Sequence, residues 1–269
     1  LIFTTYTKVN QPLLDAALRL KFAGRVGSGL ENVDLAYAAE KGVMVFNSPE
    51  GNANAVGEHT LGLLLAVFNH IVRANAELKQ GIWKREANRG MELDGRTLGI
   101  VGFGHTGSAF AKKLRGFDVE ILAYDKYKSG FGGGQIVESS MEEIAEKADV
   151  ISFHVPYTAE THHMMDQRFF QRLVKQPVIL HTCRGEVMDT VAALEALEKG
   201  KIYGLGIDVF EDEPWTNTSK VLYEIYQQLW QHPRVVATPH IAGWTVESKE
   251  LLASVLMDKI EAWLQQEKV

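Results

Sequence analysis

Short apolar runs alternate with amphipathic stretches along nearly the whole chain. Strand-like runs are read at Leu1 to Thr5, Phe22 to Val26, Val43 to Phe46, Leu98 to Val101, Val119 to Asp125, Asp149 to Phe153, Pro177 to Thr182, Ile202 to Val209 and Val235 to Thr238. Between them lie helical patterns at Gln11 to Leu20, Asn32 to Lys41, Ala53 to Lys79, Gln167 to Val174, Asp189 to Lys199 and Lys220 to Trp230, with a last long one from Glu247 to Gln266. Ser140 with Glu143 three residues on has the form of a capping box opening a further helix. Gly200 follows the Asp189 helix where a C-terminal glycine belongs. Strands spaced by helices predict parallel sheets with right-handed crossovers, an α/β fold. Phe131 to Gly134 is the one low-complexity patch and reads as a mobile loop.

The richest stretch runs from Leu98 to Asp125. A strand ends in Gly102, Gly104 and Gly107, spaced as G-x-G-x-x-G; a helix follows, then a second strand ending in Asp125. The first glycine permits the tight turn and the second lets backbone approach a pyrophosphate. The third lets helix and strand pack closely, and the helix N-terminus faces the phosphates with His105 and Thr106 in its first turn. A carboxylate at Asp125 accepts hydrogen bonds from a ribose 2′-hydroxyl and repels a 2′-phosphate, so the pattern points to NAD rather than NADP.

Bulk properties remove other classes. The 269 residues suffice for two domains, and the net charge of −6 comes without a basic run, which excludes a nucleic-acid partner. Cys183 is the only cysteine, so no internal disulfide exists, as in a reducing, cytoplasmic setting. The most apolar run, Leu61 to Phe68, is too short to span a membrane and reads as a buried helix. The chain opens without methionine directly on a strand, which leads to the expectation of a preceding βαβ unit of roughly 30 residues or more.

In open α/β sheets ligands bind beyond the carboxyl ends of the strands. There the sequence places His154, Val155 and Pro156; Thr182, Cys183, Arg184 and Gly185; Asp208 to Pro214; and Pro239 to Gly243. An Arg after a strand, a Glu before a Pro or a His in a loop is ordinary alone. Together with the glycine turn, in this order, they resemble the D-isomer-specific 2-hydroxyacid dehydrogenases over nearly the whole chain. Arg25 to Asp34, Glu58 to Thr60 and Gly81 to Trp83 place the likeness nearest the D-3-phosphoglycerate-oxidising members.

That resemblance implies two doubly wound parallel-sheet domains. A Rossmann NAD-binding domain (54–241) is inserted in a discontinuous, flavodoxin-like substrate domain (1–53 and 242–269). It implies that Arg184 holds the substrate carboxylate and carbonyl, that His240 is the acid–base, and that Glu213 fixes the tautomer of its ring and favours the protonated form. Asp208, Val155, Thr182, Cys183 and Gly243 join the glycine turn as cofactor contacts, Asp208 alternatively as a strand-end cap. Ser28 and Gly29 offer backbone N–H groups to the substrate. His59 reads as a packed or capping histidine, Cys183 as a small buried side chain, and no metal is implied; His162 and His163 have no third ligand at metal spacing.

The leading activity on this reading is oxidation of D-3-phosphoglycerate to 3-phosphohydroxypyruvate, a step toward serine. Reduction of glyoxylate, hydroxypyruvate or another small 2-keto acid stands second, and an NAD-sensing corepressor-like protein is the rival of another class. One departure bears on substrate: Thr4 stands where phosphoglycerate-specific members carry an Arg, leaving Lys8 and Arg25, or Arg85 or Arg89 reaching a neighbouring site in a dimer, as candidate phosphate ligands. A homodimer or dimer of dimers is expected, its seam along Leu61 to Phe68 and the Trp83 arm. The long closing helix leads to the expectation of a form without an appended regulatory domain.

Overall fold

The computed structural model describes residues 1–4, 7–215 and 218–266, and the chain divides into two compact units. Leu1–Ala55 with Gly243–Val269 form the first, Val56–Ala242 the second. Thr5, at the end of the first expected strand, lies outside the described residues.

The first unit is a three-stranded parallel sheet in the order β1 (Ile2–Phe3), β2 (Phe22–Arg25), β3 (Met44–Phe46). Helices α1 (Gln11–Ala16) and α2 (Leu35–Glu40) are shorter than their apolar periodicity suggested. Asn10 and Asp34 cap them by accepting from Leu13 N and Tyr37 N, which sets their starts. α1 stops at Ala17, so Leu18 is almost wholly exposed instead of continuing an apolar face. The core is Phe3, Val9, Leu14, Ala23, Val33, Ala38 and Val43. The closing helix α10 (Val246–Gln266) packs on the sheet through Leu256 and Ile260 against Gly24, and through Trp263 against Phe22 and Phe46 at 5.8 Å.

The second unit is a seven-stranded parallel sheet, ordered β10-β9-β8-β7-β4-β5-β6. Its strands are β4 (Thr97–Val101), β5 (Glu120–Tyr124), β6 (Ile136–Glu138), β7 (Val150–Phe153), β8 (Val178–His181), β9 (Gly204–Ile207) and β10 (Val235–Ala237). Successive side chains of a strand point to opposite faces, and the core divides accordingly. Leu98, Ile100, Ile121, Ala123, Val150, Val178 and Leu180 bury one face with α5 (His105–Lys113) and the second half of α3 (Glu50–Phe68). Val101, Leu122, Ile151, Phe153, Ile179, Leu205 and Ile207 bury the other with α6 (Met141–Lys147), α7 (Gln167–Arg172), α8 (Thr190–Glu198) and α9 (Lys220–Gln231).

Three expectations are corrected. The helix expected over Ala53 to Lys79 is two helices, α3 and α4 (Ile71–Lys79), bent by 62° at Asn69 and His70, where His70 adopts φ +51. Leu63, Leu64, Val67 and Phe68 are buried in the second unit's own core, so this run is not a surface seam; the exposed apolar groups are Ile71, Val72 and Leu78 on α4, and Trp83. The Phe131 to Gly134 patch is an ordered turn: Phe131 stacks on Phe103 with centroids 4.6 Å apart, Gly132 N donates to Glu138, and Gly133 bridges Ile136 at the start of β6. Among the described residues no single helix is long and apolar enough to cross a membrane.

Candidate active site

β4 lies between β5 and β7, where the strand order reverses, and the crevice beyond such a switch point is where an open α/β sheet takes its ligand. Gly102 follows β4 with φ +92, and a Cβ there would lie 2.6 Å from His154 O, beyond β7. Val155 packs beside it. At Gly107 a Cβ would lie 2.0 Å from Gly102 O, so only glycine lets α5 start this close to β4. Gly104 is different: a side chain there would meet nothing within 4 Å, and no side chain caps α5. His105 and Thr106 form the helix's first turn.

Asp125 stands just past β5. Its Oδ2 accepts from Phe103 N at 2.8 Å, and its Oδ1 from Tyr127 N at 2.9 Å and Lys128 N at 3.1 Å. The acid is thereby tied to the glycine turn, with its oxygens held in fixed positions. An open second glycine, a helix start without a side-chain cap and an oriented acid at the next strand end fit a dinucleotide.

On the far side of the switch point, Arg184, Glu213 and His240 come together. His240 Nδ1 lies 2.5 Å from Glu213 Oε2, and Glu213 Oε1 accepts from Phe210 N at 2.6 Å. The carboxylate hydrogen bond raises the His240 pKa, opposed by partial burial and by the nearby Arg184 charge. Arg184 donates from Nη1 to Cys183 O at 2.7 Å. Its loop and the Glu213 loop meet backbone to backbone, for a Cβ on Gly185 would lie 2.0 Å from Phe210 O. Asp212, Trp215 and His240 all hold positive φ (+58, +70 and +54), a concentration of unfavoured backbone that marks functional loops.

Asp208, at the end of β9, is fully buried. Its Oδ1 accepts from Thr238 Oγ1 at 2.5 Å and Ile241 N at 2.9 Å, its Oδ2 from Ala242 N at 2.8 Å, and its carbonyl from His240 N at 2.8 Å. The carboxylate therefore builds the loop that presents His240. Sequence reading offered the cap as an alternative for Asp208 but missed its reach to the residues after β10; the only signal was an acid at a strand end.

The other expected contacts are less uniform. Thr60 Oγ1 donates to Val56 O at 2.7 Å, so the Thr182 hydroxyl, 3.2 Å away, donates to Thr60 and its proton is spent inside the protein. Cys183 is buried beside His181 Nδ1 at 3.5 Å; burial pushes its thiol up to about 11 and the His181 imidazole down to about 4. Cys183 is thus a packed side chain, not a nucleophile.

Ser28, Gly29 and Gly243 belong to the first unit. There Ser28 Oγ donates to Asn52 Oδ1 at 2.6 Å, Asn47 donates to Ser28 O, and Gly243 packs on Asn52 where a Cβ would lie 2.5 Å from its amide nitrogen. Arg25 donates to Gly29 O and pairs with Glu31 at 3.1 Å. Among the described residues no three His, Cys, Asp or Glu side chains converge as metal ligands.

Comparison with known proteins decides the family. Residues 61–242 match the D-isomer specific 2-hydroxyacid dehydrogenase, NAD binding domain. The chain belongs to the D-isomer specific 2-hydroxyacid dehydrogenases. It is 37% identical over 260 residues to a hydroxypyruvate reductase of Thermotoga maritima, covering 97% of this chain and 83% of that protein. It is 33% identical to a D-3-phosphoglycerate dehydrogenase of Methanocaldococcus jannaschii, covering 99% of this chain and 50% of that protein, so the chain spans about half of that relative's length. A D-lactate dehydrogenase structure from Aquifex aeolicus, complexed with NAD and lactic acid, superposes with a TM-score of 0.88 at 31% identity, covering 98% of this chain and 82% of that one. The family is one of NAD-dependent oxidoreductases, and residues 61–242 are its NAD-binding domain.

Proposed function

We propose that this protein interconverts a small D-2-hydroxy acid and its 2-keto acid with NAD, and that hydroxypyruvate or glyoxylate reduction is its principal activity. The observation that carries the reaction class is the His240–Glu213 pair beside Arg184, set on the same sheet edge as the glycine turn. Gly102, Gly104, Gly107 and Asp125 hold the cofactor, with His105, Thr106, Val155, Cys183 O and Asp208 at its border. When bound, NAD exchanges a hydride with C2 of the substrate.

Arg184 holds the substrate carboxylate with its planar, permanently charged fork. Glu213 occupies Nδ1 of His240, which leaves Nε2 to face the substrate oxygen. In reduction His240 gives that oxygen a proton; in oxidation it removes one. The raised pKa keeps the ring protonated further toward neutral pH, which favours the reductive direction there. Ser28 and Gly29 contribute backbone N–H groups to the carboxylate.

Two observations favour an unphosphorylated substrate. Thr4 supplies no cation, and Arg25 is engaged with Glu31 and the Gly29 carbonyl. Lys8 lies with Arg25, Asn10 and Asp34 around an open cavity of about 540 Å³, and it supports the second reading, D-3-phosphoglycerate oxidation. NADH consumption with hydroxypyruvate, glyoxylate and 3-phosphohydroxypyruvate tests both. A higher kcat/KM for hydroxypyruvate or glyoxylate upholds the first, the reverse order upholds the second, and no turnover with any overturns the enzyme reading. We further propose a homodimer through the exposed apolar face of α4 and Trp83.

A further inference from the structure

His59 lies on α3 and has no role in the reaction proposed above. Its Nε2 is 2.9 Å from Thr238 Oγ1, and Thr238 Oγ1 is 2.5 Å from Asp208 Oδ1, with His59 itself 3.6 Å from that carboxylate oxygen. A hydroxyl has one proton to give. The Thr238 hydroxyl donates to Asp208 Oδ1, so toward any second partner its oxygen can only accept. With its proton on Nε2, His59 is the donor that this contact calls for. The direction of the chain is therefore fixed from His59 through Thr238 to Asp208, and from Asp208 to the N–H groups of Ile241 and Ala242 that flank His240.

We propose that His59 is a positioning residue: it holds Thr238 and Asp208 in the arrangement that sets the backbone of the His240 loop. The proposal deepens the dehydrogenase reading and rests on it for its kinetic consequence. A buried carboxylate costs heavily unless every oxygen is satisfied. Among the described residues, the Asp208 side chain is met by Thr238, Ile241, Ala242 and the His59 ring. With the His59 donor gone, the Thr238 oxygen loses the partner opposite Asp208, and only its own bond to Asp208 still orients the hydroxyl. His240 carries positive φ, so its presentation depends on this surrounding bonding.

Two measurements test this. In ¹⁵N-histidine spectra of the whole protein at pH about 8, above the ordinary imidazole range, His59 shows a protonated Nε2; a ring protonated at Nδ1 alone overturns the chain as drawn. In steady-state kinetics His59→Ala lowers kcat about tenfold to a hundredfold, the scale of a misplaced catalytic group, while KM for NADH changes less than kcat. His59→Gln, whose amide N–H can reach the position of Nε2, restores most of the turnover, and His59→Asn, which cannot, does not. Equal turnover in the Gln and Ala variants overturns the donor role. If the wild-type protein turns over no 2-hydroxy or 2-keto acid, the dehydrogenase reading falls by itself, and the Nε2 spectrum still decides the relay.

Discussion

Glu213→Gln isolates what the carboxylate does for His240. The substitution keeps the side chain's shape and can keep one hydrogen bond to Nδ1, but removes the charge that favours the imidazolium. A hydrogen bond to a charged group is worth about 1.5–3 kcal/mol, and the His240 side chain is 49% exposed, so solvent screening puts the effect near the lower end. A loss of about 1.4 kcal/mol of transition-state stabilisation is about a tenfold fall in kcat. The pH profile carries the sign. His240's folded pKa is raised, chiefly by the hydrogen bond to Glu213. Reduction needs the protonated ring, so its rate is full at low pH and falls as pH rises through that pKa; in Glu213→Gln the fall moves to lower pH. Oxidation needs the neutral ring, so its rise with pH also moves lower. Initial rates in both directions across pH, with substrate saturating, make the comparison. An unchanged descending limb, or one moved upward, refutes the assignment of Glu213 as the group that holds His240 protonated.

Other outcomes follow from the same geometry. Gly104→Ala folds normally and weakens NADH binding by about tenfold or more in fluorescence titration, because its Cβ has room in the protein but stands where pyrophosphate approaches. Ile151→Ala, at a fully buried position, destabilises the second unit by about 2–5 kcal/mol in denaturant unfolding. Cys183, with its thiol pushed up to about 11 and buried, reacts with a thiol reagent at pH 8 only as fast as the protein unfolds; rapid labelling of the native protein refutes its placement. Leu78→Glu with Trp83→Ser yields monomers in light scattering, if α4 and the Trp83 arm form the dimer contact.

Local sequence patterns gave six of the seven strands of the second unit, the glycine turn and the cap at Ser140, where Ser140 Oγ accepts from Glu143 N at 3.1 Å. These are decided by neighbours a few residues apart. Even here the box is half formed, since Glu143 turns to Ser139 and Lys147. The break at His70 escaped because the apolar period continues through it; no glycine or proline marks the bend. β6 escaped because Ile136–Glu138 is three residues long and its order comes from pairing with β5. Arg184, Glu213 and His240 were legible only as a joint pattern. What Asp208, Thr238 and His59 do together was not, because each bond joins segments far apart in sequence, and neither periodicity nor turn chemistry reports a carboxylate's distant donors.

The contact at Gly185 has a consequence for how such a protein can change over time. The loops bearing Arg184 and Glu213 press backbone on backbone, with no space for even a methyl group. Neither can be lengthened, tilted or re-sequenced alone without parting the two. A change in either loop therefore has to be matched by a change in the other, so this pair of loops is closed to small, independent steps.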